Sequence, residues 1–367
     1  VGDLVESAAV HGGPVYPTAT TAGPGIRRED AAMTDQSRRL VLAQRPSGMV
    51  DDTIVRLETV DIPDPGRGEA VVEVSHLSID PTIRTWMDDA PGYLPPIEIG
   101  AVIRSGGLGT VVASQNDHFP VGATIFGMVG WQDHFVLDET PGAGQVVPDG
   151  MDPTAVLSVF GVTGMTAYFG LLDIGQPKEG DTVVVSGAAG ATGSVVGQIA
   201  KIKGAGKVVG IAGGPEKCAW LVDELGFDAA IDYKAGPVGP QLREQCPDGI
   251  DVYFDNVGGE ILDACLANLA LNARIVCCGA ISAYNDRGEA PGLKNYFSLI
   301  TRRARMEGFL ILDYQDRFAE AQGDLFGWVL DGKIKHAVHV VEGLEHAPEA
   351  LNLLFTGGNT GKVIVAL

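Results

Sequence analysis

The spacing of apolar residues changes character near residue 155. From Arg38 to Leu157 the chain carries short strand-like runs between Gly/Pro turns: RRLVLAQ, IVRLETVDIP, EAVVEVSHLSID, GTVVAS and ATIFGMVGWQDHFVL. This texture predicts a mostly β module without internal repeats. Downstream, strand-length apolar runs alternate with helical spacing. Val183–Val185, Val208–Ala212, Ala229–Asp232, DVYFDNVGG, ARIVCCGAISAYN and Met306–Tyr314 predict strands. VLSVFGVTGMTAYFGLLDIG reads as one apolar helix, and Arg317–Leu330 as another. Val195, Val196, Ile199, Ala200 and Ile202 recur at helical spacing until Gly204 and Gly206 stop that helix. Such alternation predicts a doubly wound parallel α/β sheet, whose ligands gather at the strands' carboxyl ends. The tail, AVHVVEGLEHAPEALNLLFTGGNTGKVIVAL, predicts strand, helix and strand rejoining the β module.

Residues 1–36, rich in Gly, Pro, Ala and Thr, lack apolar periodicity and read as a flexible extension. They also lack a basic start followed by an apolar core, which argues against a signal peptide. Met33 opens a more ordinary protein start, MTDQSRRLVLAQRP, so one expectation is that the first 32 residues derive from an upstream start codon. The expected organisation is an extension (1–36), a β substrate domain (37–156), a dinucleotide-binding domain (157–331) and a C-terminal segment (332–367) that returns to the substrate domain.

The candidate chemistry starts in the turn after Val185. Ala188, Gly190 and Gly193 occupy the three small-residue positions of a dinucleotide fingerprint, flanked by strand and helix as that motif requires. Gly190 lets backbone N–H groups approach a pyrophosphate, and the helix near Gly193 points its positive end there. The bland alternative is a structural Gly-rich turn. An NAD site usually has an acidic residue at the end of the second strand, whereas here stand Gly213, Gly214 and Pro215, then Glu216 and Lys217. Losing the acid leaves room for a 2′-phosphate and Lys217 offers a counter-charge, which favours NADPH. Lys217 as an ordinary solvated helix residue is the alternative. In the β module, Asp80 is expected to cap a helix that Pro81 begins. Gly92–Pro96, with Tyr93, is either a pocket wall or a surface loop.

Composition narrows the partners. At 367 residues and 45% hydrophobic, the chain can build two cores. A net charge of −21 argues against nucleic acid and anionic membranes, and no apolar run approaches the roughly 20 residues of a membrane span. Cys218, Cys246, Cys265, Cys277 and Cys278 have no paired CxxC spacing and read as reduced thiols of a cytoplasmic protein.

Several motifs in order, LSIDPTIR, GVTGMTAYFGL, AAGATGSVVGQIAK, GIAGGPEKC, FDNVGGE, CCGAISAYN, MEGFLILDY and TGGNTGKVIV, resemble the medium-chain dehydrogenase/reductase superfamily. They are most similar to its zinc-independent prostaglandin and alkenal/one reductases, over roughly residues 38–367. The resemblance implies a Rossmann sheet with a GroES-like β domain, NADPH as cofactor and a homodimer. It places Thr166 beside the cofactor and Gly190, Ala191, Thr192 and Gly193 around the pyrophosphate. Lys217, Tyr233 and Asn359 would hold the 2′-phosphate. Asn256 and the loop Cys278, Gly279, Ala280, Ile281, Ser282 to Tyr284 would line the cofactor's path, and Phe309, Leu310 and Ile311 would offer main chain to the nicotinamide. Thr82, where the family commonly has Tyr, and Thr163, where it has Pro, depart from the pattern.

A catalytic zinc needs three Cys, His or carboxylate ligands. Where the zinc branch draws them, this chain has Ser78, Asp80 and Glu98-Ile99-Gly100, and the β module has no cysteine. His336 and His339 read as surface or packing residues, so no metal is expected. Hydride transfer to the β-carbon of an α,β-unsaturated aldehyde or ketone needs only one or two donors on the developing enolate. Tyr284 is the candidate donor, and a packing wall is its alternative. A quinone reductase of the same superfamily, a carbonyl-reducing alcohol dehydrogenase and a non-catalytic NADPH-binding protein are the competing readings.

Overall fold

The computed structural model describes residues 36–140, 142–286 and 292–367, so the expected extension lies outside them except for Gln36. In the β-rich module the strands are β1 (Gln36–Leu42), β2 (Val55–Asp61), β3 (Ala70–Ile79), β4 (Gly107–Ser114), β5 (Thr124–Gly127), β6 (His134–Leu137) and β7 (Gly144–Val146). The second module contributes β8 (Thr182–Ser186), β9 (Lys207–Ala212), β10 (Ala229–Asp232), β11 (Ile250–Asp255), β12 (Leu269–Cys277) and β13 (Arg305–Gly308). The tail adds β14 (Val338–Glu342) and β15 (Lys362–Ala366).

Strands β8–β13 form a parallel sheet in the order β10-β9-β8-β11-β12-β13, the doubly wound order with its switch point between β8 and β11. Both faces are covered, as the continuous apolar strands require. Val183 and Val185 pack on one side with Val195, Val196 and Ile199. Val184 packs on the other with Leu242, Leu262 and Leu266. This register puts Ser186, Ala212, Asp232, Asp255 and Cys277 on one edge. In the tail, β15 pairs antiparallel with β3 and parallel with β14, within the β-rich sheet.

Three local expectations fail. The apolar helix is broken into Pro153–Leu157 and Val162–Phe169 and continues as a π-helix over Gly170–Gly175. A side chain at Gly170 would run into the Phe309 and Phe254 rings, so close packing with the sheet shapes this segment. The sixth strand stops at Gly308, and Ile311–Arg317 forms a 3₁₀ turn under the closing helix Phe318–Leu330. Asp80 caps no helix; Pro81 stands at the cap of Thr82–Trp86 without a side-chain bond. The Asp80 carboxylate instead takes the fully buried Lys362 ammonium at 2.6 Å and the Ser78 hydroxyl at 2.6 Å. A charge-assisted bond to a desolvated ammonium outcompetes a neutral cap.

Candidate active site

The glycine turn is built by close backbone approach. Gly190 is the N-cap of the helix Ala191–Ile202, in extended conformation and with no side-chain cap. The first-turn N–H groups of Ala191, Thr192 and Gly193 therefore lack intrahelical partners, the condition for an anion site at a helix N-terminus. A Cβ on Gly193 would collide with the Gly187 carbonyl oxygen and stand 2.8 Å from Ala188 Cα. Gly361 N–H donates to Ala189 O at 2.8 Å, which anchors the tail on this turn.

At the end of β9 the acid-free position is closed by side chains from the neighbouring strand. A Cβ on Gly213 would meet the Tyr233 hydroxyl at 2.8 Å and Lys234 Cε at 2.9 Å. Lys217 Nζ donates to the Gly357 carbonyl at 2.8 Å. The Tyr233 hydroxyl, Lys217 Nζ and Lys234 Nζ lie 3.7, 3.9 and 3.9 Å from where a Gly357 Cβ would stand. Burial first, then the Lys234 charge, lowers the Lys217 pKa. Two repelling ammonium groups beside a phenol suit a dianionic phosphate. Lys234 escaped the sequence reading. Its signal was position, directly after Tyr233 at the end of a strand that pairs with β9. Asn359 is not brought into this group by its Nδ2, which is buried and donates to Gly361 O at 2.9 Å.

Across the switch point, the buried Asp255 Oδ1 accepts from Ser186 Oγ (2.9 Å), Tyr253 Oη (2.7 Å) and the N–H groups of Val257 and Gly258 (3.0 Å each). Ser186 in turn fixes Asn256, accepting its N–H on Oγ and its Nδ2 on the carbonyl. The β12 loop hangs on the same group: Cys278 and Gly279 N–H donate to Asp255 O, and Ser282 Oγ donates to Val257 O. Ser282 therefore ties two loops together. Burial, foremost, pushes the Cys278 thiol up to about 12, so it stays protonated and inert. Asp255, Ser186 and Tyr253 were also missed, because their role depends on strand register.

Tyr284 Oη accepts the Ala280 N–H at 3.1 Å, which leaves its own proton free. Burial raises its pKa first, with Cys278, Tyr93 and Asp255 adding charge effects. Tyr93 comes from the β module and sits edge-on to Trp86, ring centres 6.2 Å apart. Thr166 Oγ1 donates to Val162 O at 2.7 Å, keeping lone pairs available. Phe309 packs over Gly170, Leu310 is the extended N-cap of the following turn, and Ile311 begins it. Among the described residues no three His, Cys, Asp or Glu side chains converge as metal ligands. Asp80 is already committed to Lys362, so these residues do not fit a catalytic zinc.

Sheet order, glycine turn and a β-rich partner domain define a dinucleotide-dependent oxidoreductase class. Residues 38–143 match the family model described as the N-terminal domain of oxidoreductase, and residues 191–325 the one described as zinc-binding dehydrogenase. The chain is 41% identical to the NADPH-dependent curcumin reductase of Escherichia coli, over 90% of this chain and 96% of that one. It is 37% identical to the NADP(+)-dependent 2-alkenal reductase of Nicotiana tabacum, over 90% and 97%. The crystal structure of CurA in complex with NADPH from Vibrio vulnificus superposes with a TM-score of 0.85 at 43% identity, over 90% and 98%. The chain belongs to the medium-chain dehydrogenase/reductase family.

Proposed function

We propose that this protein uses NADPH to reduce the C=C bond of α,β-unsaturated aldehydes or ketones. The observation that carries the reading is the Tyr284 hydroxyl, held at the sheet's carboxyl edge by Ala280 N–H with its proton uncommitted. The names of the curcumin and 2-alkenal reductases support the substrate class, since both act on conjugated carbonyl compounds. Lys217, Lys234 and Tyr233 would grip the 2′-phosphate, with Asn359 beside them on the tail. The first-turn N–H groups from Ala191 to Gly193 would hold the pyrophosphate, and Thr166, Asn256, the loop 278–284 and the main chain of Phe309–Ile311 would follow the remainder.

When bound, the cofactor supplies a hydride to the substrate's β-carbon. Tyr284 donates to the carbonyl oxygen as negative charge develops there, and its raised pKa keeps it a phenol at neutral pH. Solvent protonates the α-carbon, so no tuned base is needed. Tyr93 would wall the substrate side of the cleft. The domain division set out above, with residues 332–367 serving the substrate domain, is part of this reading, as is a cytoplasmic location for a chain whose five cysteines are free. A homodimer would form at the β13 edge. Every β13 residue is exposed, and Tyr296, Phe297 and Ile300, which precede it in the chain, are 60%, 61% and 65% exposed; an open strand edge and exposed apolar side chains favour pairing.

The test is NADPH oxidation with a panel of alkenals, enones, quinones and saturated ketones, with NADH as the control. Turnover of alkenals and enones well above quinones and ketones supports the reading. Faster turnover of quinones replaces it with the quinone reductase, and binding without turnover replaces it with a non-catalytic role.

A further inference from the structure

The residue after Tyr284 carries an amide that the fold leaves almost uncommitted. Asn285 Oδ1 is buried and has no donor among the described residues. Its Nδ2 meets the Met49 thioether at 3.4 Å, and sulfur is a weak acceptor. Buried amide groups are normally satisfied, so one left in this state calls for an explanation. Nδ2 itself holds only this sulfur contact, so its N–H groups can turn to a stronger acceptor at little cost.

Its place in the fold says which acceptor. Met49 lies between β1 and β2, so the contact spans from the β module to the strand-end loop of the parallel sheet. Tyr284, the preceding residue, lies within electrostatic reach of Tyr93 from the β module. Both side chains therefore stand where the β module meets the sheet edge. We propose that Asn285 is a second hydrogen-bond donor to the substrate's carbonyl oxygen, acting beside the Tyr284 hydroxyl. This rests on the enone reading above. An oxygen gaining charge during hydride transfer strengthens a bond from Nδ2, whereas the thioether gains nothing, so the donor favours the transition state.

Steady-state kinetics with a neutral straight-chain enone, alongside NADPH titration by fluorescence, tests the assignment. Asn285→Leu is expected to lower kcat/KM about 10- to 100-fold, the effect of one hydrogen bond to a charged group, with NADPH Kd unchanged within about twofold. Met49→Leu, which removes only the sulfur, keeps kcat/KM near the wild-type value. Asn285→Asp carries the test should the leucine variant fold poorly: its loss is relieved as pH falls, because a protonated carboxyl regains a donor. Wild-type kcat/KM in Asn285→Leu overturns the proposal. So does an equal loss in Met49→Leu, which would make the contact a structural latch, or an Asn285→Asp profile parallel to wild type. A wild-type enzyme that turns over no enone refutes the underlying reading instead.

Discussion

Lys217 shows how a site residue carries two signals at once. Burial and the Lys234 charge lower its pKa, so its ammonium form is lost at a lower pH than a free lysine's, and with it the proposed attraction to a 2′-phosphate. NADPH affinity should weaken as pH rises through that lowered value. Lys234→Met removes the second cause, so it should weaken NADPH at neutral pH and move the alkaline limb upward while NADH binding stays constant. Fluorescence titrations across the neutral and alkaline range check this, and an unmoved limb contradicts it. Lys217→Ala should weaken NADPH about 10- to 100-fold, for roughly 1.5–3 kcal/mol of charge-assisted bonding. The proposed role of Lys217 could be read from its place just past the acid-free strand end. Lys234 was not, since only sheet order brings β10 beside β9. Asn359 was inferred from resemblance alone, and its Nδ2 bonds within its own turn.

Among elements, the unit from β8 to β9 was the most readable, because apolar runs and small residues at a tight turn obey local rules. The broken helix near Gly161 and the short β13 were not readable, because both answer to packing partners distant in sequence. Gly170, against Phe309 and Phe254, is an example. The close approach at Gly193 yields a prediction. Gly193→Ala should cost about 1–3 kcal/mol of stability, the usual penalty of overpacking, and should weaken NADPH by disturbing the first-turn N–H groups. Thermal unfolding with and without NADPH measures both, and wild-type behaviour in both would show that the turn tolerates a methyl group. Ser186→Ala removes a donor to Asp255 and the acceptor for Asn256 N–H. It should therefore raise NADPH Kd more than it lowers kcat, and an unchanged Kd would separate this cluster from cofactor binding.

For the whole molecule, the tail joins the two modules: Gly361 N–H reaches the glycine turn, and Lys362 is buried against Asp80. The strand, helix and strand of the tail follow its periodicity, whereas the ion pair was hidden because a capping role for Asp80 satisfied every local rule. No helix among the described residues is long and apolar enough to cross a membrane. The proposed assembly predicts that Phe297→Glu with Ile300→Glu turns a dimer into a monomer in light scattering, and an unchanged mass would place any dimer contact elsewhere. The central claim, hydride transfer to a conjugated carbonyl with Tyr284 as donor, is tested most directly by kcat/KM of wild type and Tyr284→Phe on one neutral enone with NADPH. The account predicts turnover by wild type and a loss of about 10- to 100-fold in the variant, with NADPH Kd unchanged; full kcat/KM in Tyr284→Phe would contradict it.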